Sequence, residues 1–123
     1  MSASHVPPGW PEGVPPPHTQ GWEDRAVLWM LDQCPPEYRA YAGWRRHPIA
    51  LAWLTVRHVE GQATALREAW REARVAIGPY VPPEALAEIL AEIEAEGIRL
   101  VAASRAARLV HEALQGKVFA PRL

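Results

Sequence analysis

The sequence predicts an all-α protein dominated by a long antiparallel helical hairpin. Two long segments have apolar residues at alternating steps of three and four, and prolines are confined to the ends of those segments. The breaker between them, residues 78–83, is so short that the two helices should lie antiparallel. We predict helices over residues 21–33, 36–43, 48–77 and 82–115, which form a helical domain over residues 21–116. The N-terminal arm covers residues 1–20, and a C-terminal tail covers residues 117–123.

The apolar seams of the third and fourth helices are the strongest pattern in the chain. The third helix has apolar residues at all nine seam positions: Ile49, Ala52, Val56, Val59, Ala63, Leu66, Trp70, Ala73 and Ile77. In the fourth helix, only Glu96 interrupts the seam that runs from Leu86 to Leu114. We expect a small register shift beside Gly97 to turn Glu96 outward. Seams of this spacing indicate that the two helices pack along one another.

Further apolar residues lie off these seams, toward the open end of the hairpin, which we call the base. They are Leu51, Trp53 and Leu54 in the third helix and Ile98, Val101 and Leu109 in the fourth. A helix that is apolar on two faces needs another layer against it. We therefore expect the two short helices to pack on the base and to leave the opposite end, the tip, as a bare helix pair.

The N-terminal arm contains six prolines and should be extended. Trp10 stands out within it, because so large an apolar side chain seeks burial. The arm can lie across a groove of its own domain or across a groove of a partner. Gly61 and Gly97 leave a similar choice, since a glycine within a helix indicates either a close backbone approach or kink, or a tolerated exposed position.

Charged residues on the two long helices suggest a particular alignment. If the turn is centred near Tyr80, three arginines of the third helix face three glutamates of the fourth: Arg67, Arg71 and Arg74, and Glu84, Glu88 and Glu92. We expect ion pairs between the two rows. Exposed pairs contribute only about 0 to 1 kcal/mol each, so they would select the alignment more than stabilise it.

Composition restricts the classes of protein to consider. The chain has 123 residues, a net charge of −1 and one cysteine, Cys34. That length suits one domain, and a single cysteine cannot form an intramolecular disulfide. We see no signal peptide and no apolar segment of the roughly 20 residues that a membrane helix needs. The expected location is cytoplasmic.

No group of residues points to catalysis, a cofactor or a metal, so we predict none of the three. His47 and His111 should lie near the base, but helical metal sites normally show ligands three or four residues apart. Cys34 ends the first helix, where the negative end of the helix dipole disfavours a thiolate, so a buried, unreactive thiol is expected. The chain resembles no family closely enough to suggest a function.

Three functional hypotheses follow. The leading one is a non-enzymatic interaction or regulatory protein that forms a homodimer or binds another protein, with Trp10, Leu66, Trp70, Tyr80 and Ile89 in the interface. The second is a nucleic-acid-associated protein whose base contacts phosphate through Arg45, Arg46, Arg105 and Arg108. The third is a helical bundle with a ligand pocket among Trp29, Trp53 and Leu109.

Overall fold

The computed structural model describes residues 5–121, and its regular structure is entirely helical, with no strand in that range. The elements are α1 (Trp22–Gln33), a 3₁₀ turn (Pro36–Ala40), α2 (Ala42–Arg46), α3 (Pro48–Ala76), a second 3₁₀ turn (Gly78–Tyr80) and α4 (Pro83–Leu114). The predicted all-α class is confirmed. The two long helices, α3 and α4, pack closely against one another, which is consistent with the predicted hairpin.

Prolines determine where the two long helices begin. Pro48 and Pro83 lie in the first turn of α3 and α4, where a residue without an N–H group removes no helical hydrogen bond. Pro82 precedes α4 in an extended conformation, with φ −62° and ψ 153°. No helix within residues 5–121 is both long enough and apolar enough to cross a membrane.

The seam between α3 and α4 is buried in the middle of the hairpin. Val59, Ala63, Leu100 and Ala103 form one core cluster, and Leu66 is partly buried against it. Two seam positions of α3 remain exposed. Ile49 lies in the first turn of α3 and is 48% exposed, and Trp70 is 39% exposed.

A second core cluster joins α1 to the base of the hairpin. Met30 and Leu31 of α1, Leu51 of α3 and Val110 of α4 are all at most 1% exposed. The apolar face of α1 therefore covers both long helices at once, and the base has the additional layer that its apolar residues require.

The N-terminal arm packs on its own domain. Trp10 is 9% exposed, belongs to the base cluster and donates a hydrogen bond from Nε1 to the carbonyl oxygen of Val14 at 3.0 Å. Of the two arrangements, the one within the chain is observed, and the ring of Trp10 is buried there rather than exposed on the surface. A neighbouring apolar base buries the ring without the entropic cost of binding a second molecule.

The C-terminal tail meets the arm at the base. His18 Nε2 and the carbonyl oxygen of Lys117 are 2.7 Å apart. The ring centroids of Phe119 and Trp10 are separated by 6.2 Å, in an edge-to-face arrangement. Both ends of the described chain are thus anchored on the same core cluster.

The predicted helix over residues 36–43 differs from the observed structure. The chain forms the first 3₁₀ turn and then α2, with Tyr41 between them at φ −97° and ψ 100°. His47 adopts φ −130° and ends α2, because a residue before proline is disfavoured in helical conformation. The ring centroids of Tyr38 in the 3₁₀ turn and Trp44 in α2 are 5.8 Å apart, so the two rings pack across the interruption at Tyr41.

The predicted ion pairs between the arginine row of α3 and the glutamate row of α4 do not form in the part of the chain that the structure describes. Arg67 instead donates a hydrogen bond to Thr64 Oγ1 at 3.1 Å, and the guanidinium of Arg74 lies 5.1 Å from the ring centroid of Trp70. These side chains are exposed, so contacts within α3 compete easily with ion pairs to α4.

Replacing Trp10 with alanine tests whether the arm is part of the fold. We expect Trp10→Ala to lower the free energy of unfolding by about 3 to 5 kcal/mol, because it empties a buried ring position. Trp53→Ala is the matched control, since Trp53 is 51% exposed and its loss should cost less than about 1 kcal/mol. Urea denaturation followed by circular dichroism measures both values. Equal, small losses would show that the arm is not held on the base.

Candidate functional site

An apolar groove lies between α3 and α4 and has a volume of about 530 Å³; we call it the hairpin groove. Its lining residues are Ala63, Leu66, Arg67, Trp70 and Arg71 of α3, and Ile93, Glu94, Gly97, Ile98 and Val101 of α4. A second hollow, of about 340 Å³, shares Ala63, Arg67 and Val101 with it and extends to Glu60 and Ser104. The groove therefore continues along one face of the hairpin.

Large apolar side chains in the hairpin groove are exposed to solvent. Trp70 is 39% exposed, Ile98 67% and Val101 59%. Single exposed apolar residues are ordinary on a protein surface, whereas several that line one concave surface are typical of interaction sites. The groove is thus the strongest candidate for a functional surface in the described chain.

The groove is open because the short helices do not extend over it. The prediction that they cover the stripe of Ile98, Val101 and Leu109 is right only for Leu109, which packs against the base cluster. With 12 residues, α1 is about 18 Å long, so it covers less than half of the 32-residue α4. Ile98 and Val101 remain uncovered.

Gly97 lines the hairpin groove without filling it. A Cβ atom placed on Gly97 or on Gly61 would meet no atom within 4 Å, so neither glycine is needed for a close approach within the chain. Of the two explanations offered for these glycines, the close approach is not observed. The two positions differ in one respect, because Gly97 lines the groove and Gly61 does not.

Charged groups border the groove with opposite signs on its two helices. Arg67 and Arg71 belong to α3 and Glu94 belongs to α4. Within residues 5–121, none of these three side chains forms an ion pair.

Glu96 and Arg99 of α4 pair with each other on the surface. Arg99 donates two hydrogen bonds to the Glu96 carboxylate, at 2.6 and 2.8 Å. These bonds hold the pKa of Glu96 below its ordinary value and raise the pKa of Arg99. Glu96 is therefore turned toward solvent, as expected, and its charge is already compensated.

The predicted interface residues fall into separate places. Leu66 and Trp70 line the groove, Ile89 is half-buried outside the lining, and Tyr80 stands 85% exposed at the tip. Sequence reasoning missed the α4 residues of the interface candidate, Ile93, Ile98 and Val101. The sequence contained a usable signal for Ile98 and Val101, because they lie off the seam and the predicted short helices are not long enough to cover them.

The four arginines predicted to contact phosphate are not all free to do so. Arg108 forms an ion pair with Glu60, and its Nε donates to Glu60 Oε2 at 2.7 Å. Arg105 lies beneath Gly9, where a Cβ atom would be 2.7 Å from Arg105 Nε. Arg45 and Arg46 are exposed in the last turn of α2. Phosphate binding at the base stays a prediction.

The described histidines form no metal site, and a hollow of about 410 Å³ at the base, beside His18, Trp22 and Glu23, is more polar than the hairpin groove. From His5 to Pro121, no three His, Cys, Asp or Glu side chains are grouped so that they could hold a metal ion. Trp29 and Leu109 pack against the base cluster while Trp53 is 51% exposed, so these three residues do not enclose the ligand pocket that the third hypothesis requires.

Cys34 is buried and held in a chain of hydrogen bonds. Its Sγ lies 3.3 Å from Thr55 Oγ1, and the Thr55 hydroxyl donates to the carbonyl oxygen of Leu51 at 2.7 Å. Because that hydroxyl has a single proton, the thiol is the donor to Thr55. Burial raises the pKa of Cys34 and outweighs two lowering effects, a hydrogen bond that Thr55 can make to the thiolate and the positive charge of the nearby Arg39. The thiol therefore belongs to the core.

The chain matches no protein-family model, no curated protein and no solved structure.

The raised pKa of Cys34 predicts how stability depends on pH. The stabilising effect of burying a neutral thiol is present in full below the pKa of the unfolded thiol, about 8.5, and is lost as pH rises through the higher pKa of the folded state. We expect the free energy of unfolding to fall above about pH 8.5. The slope should be shallower in Cys34→Ala. Parallel slopes for the two proteins in urea titrations from pH 7 to about 10 would contradict this account.

Proposed function

We propose that this chain is a non-enzymatic helical interaction protein that binds a protein partner in the hairpin groove. The observation that supports this function is the exposure of Trp70, Ile98 and Val101 on the walls of one groove. Tryptophan is enriched among residues that dominate binding energy, and flanking aliphatic side chains exclude water around such an anchor.

The form of the groove suggests what the partner contributes. A groove between antiparallel helices accepts the apolar face of another helix, as in helix-in-groove recognition and in helical bundles. Gly97 leaves room on the α4 side, and Arg67, Arg71 and Glu94 provide polar contacts at the edge. A helical partner with apolar side chains at helical spacing and charges beside them fits both features.

Chemical labelling in the cells that express the protein tests whether the groove is covered. A cysteine introduced as Ile98→Cys should react with a permeable maleimide at least about tenfold more slowly than one introduced as Val75→Cys, because labelling requires the groove to be open. Val75 is the control because it lies outside the groove on α3 and is 83% exposed. Peptide mass spectrometry separates both sites from Cys34. Equal rates at the two positions would refute an occupied groove.

The two helical glycines provide a test that separates binding from folding. Gly97→Leu and Gly61→Leu should each raise the free energy of unfolding by roughly 0.5 to 1 kcal/mol, since both remove a glycine from a helix and a Cβ atom at either position meets no neighbouring atom. Only Gly97→Leu fills the groove, so it alone should abolish the protection of Ile98→Cys. Protection that survives Gly97→Leu would show that the partner binds elsewhere.

A further inference from the structure

We propose that the partner is a second copy of this chain, bound groove to groove so that each α3 lies over the partner's α4. This inference rests on the proposed function of the groove and adds the identity and orientation of its occupant. The supporting observation is that α3 has unpaired basic side chains and α4 has an unpaired acidic side chain beside the same apolar groove.

Two copies of one surface normally associate about a two-fold axis, so that each copy presents the same patch to the other. Two such arrangements bring the grooves face to face. With the axis parallel to the helices, α3 of one copy lies over the partner's α4. With the axis across the helices, α3 lies over the partner's α3 and α4 over the partner's α4.

Charge distinguishes between these arrangements. With the axis parallel to the helices, Arg67 and Arg71 approach the partner's Glu94, and the same contacts recur by symmetry on the other side. With the axis across the helices, the arginines of α3 face the same arginines of the partner, and Glu94 faces the partner's Glu94. Opposite charges across an interface set orientation and like charges oppose it, so the first arrangement is favoured.

Three charged residues that do not follow this pattern, Glu60, Arg99 and Arg108, are already compensated within the chain. Glu60 places a negative charge on α3 and Arg108 a positive charge on α4, which is the opposite of the groove pattern. These two residues form an ion pair with each other beside the second hollow. Arg99 of α4 is likewise paired with Glu96. Within residues 5–121, the ion pairs of the single chain therefore compensate Glu60, Arg108 and Arg99, whereas Arg67, Arg71 and Glu94 of the groove lining are left unpaired.

Apolar contacts provide the affinity in this dimer, and charges provide its orientation. Two facing hairpins form a four-helix arrangement in which Trp70, Ile98 and Val101 of both copies leave the solvent together. The paired charges stay at the edge, where they mainly affect which arrangement forms.

Charge reversal tests the identity and the orientation of the partner together. Arg71→Glu and Glu94→Arg should each weaken self-association by about tenfold or more, because each substitution creates two symmetric like-charge contacts. An equimolar mixture of the two variants should form a heterodimer, since each altered side chain then meets an opposite charge. The double variant Arg71→Glu/Glu94→Arg should form a homodimer for the same reason.

The measurements use the full chain over a wide concentration range. Light scattering gives the mass of each variant, and native mass spectrometry identifies the heterodimer in the mixture. Arg45→Glu is the matched control, because Arg45 is exposed outside the groove lining and its reversal should leave association unchanged. Circular dichroism confirms that each variant is folded, which the exposed positions of Arg71 and Glu94 favour.

Each result bears on the proposal. A wild-type dimer that both single variants weaken and that the mixture restores would support it. A wild type that stays monomeric at every concentration would overturn the choice of a second copy, and the labelling of Ile98→Cys would then decide separately whether the groove binds another protein. A dimer that Arg71→Glu alone strengthens, or that mixing fails to restore, would overturn the orientation.

Discussion

The packing of α3 against α4 is the contact on which the rest of the molecule depends. Its buried middle, formed by Val59, Ala63, Leu100 and Ala103, aligns two helices that would have little reason to persist alone. The base cluster needs both helices in place, because α1 and the arm rest on α3 and α4 together. The hairpin groove is the uncovered face of the same pair.

The number of packed layers differs along the hairpin, and this difference explains why the base is structural while the proposed binding surface lies farther along. At the base, a third layer from α1, the arm and the tail buries apolar side chains on both long helices. Beyond the reach of α1, residues 5–121 provide no third layer on the pair, and Trp70, Ile98 and Val101 stay exposed. A helix pair with apolar surface on a second face leaves that surface exposed to water. The same exposed apolar surface that destabilises the monomer therefore favours association.

Periodicity and prolines were sufficient to predict the helical class and the long helices, because both act locally along the chain. Patterns could not show which of several apolar surfaces would cover another. Trp10 illustrates this limit, since its burial depends on the three-dimensional path of the arm. The predicted ion pairs between the arginine row of α3, which includes Arg67, and the glutamate row of α4, which includes Glu84, illustrate a second limit. Exposed charged side chains have many possible partners of similar energy, and sequence position alone does not determine which pair forms. The groove itself arises from the short length of α1 compared with α4, a relation between elements that no single segment contains.

The meeting of the arm and the tail has a consequence for the order of folding. The contact between His18 and Lys117 spans 99 residues, whereas the seam of α3 and α4 is closed by a short turn. Contacts between distant parts of a chain lose more entropy on closure and usually form after local ones. We expect the hairpin to form first and the two chain ends to join it last. For the same reason, we expect the least costly opening of the native state to be a release of arm and tail that exposes the base cluster while the long helices stay paired.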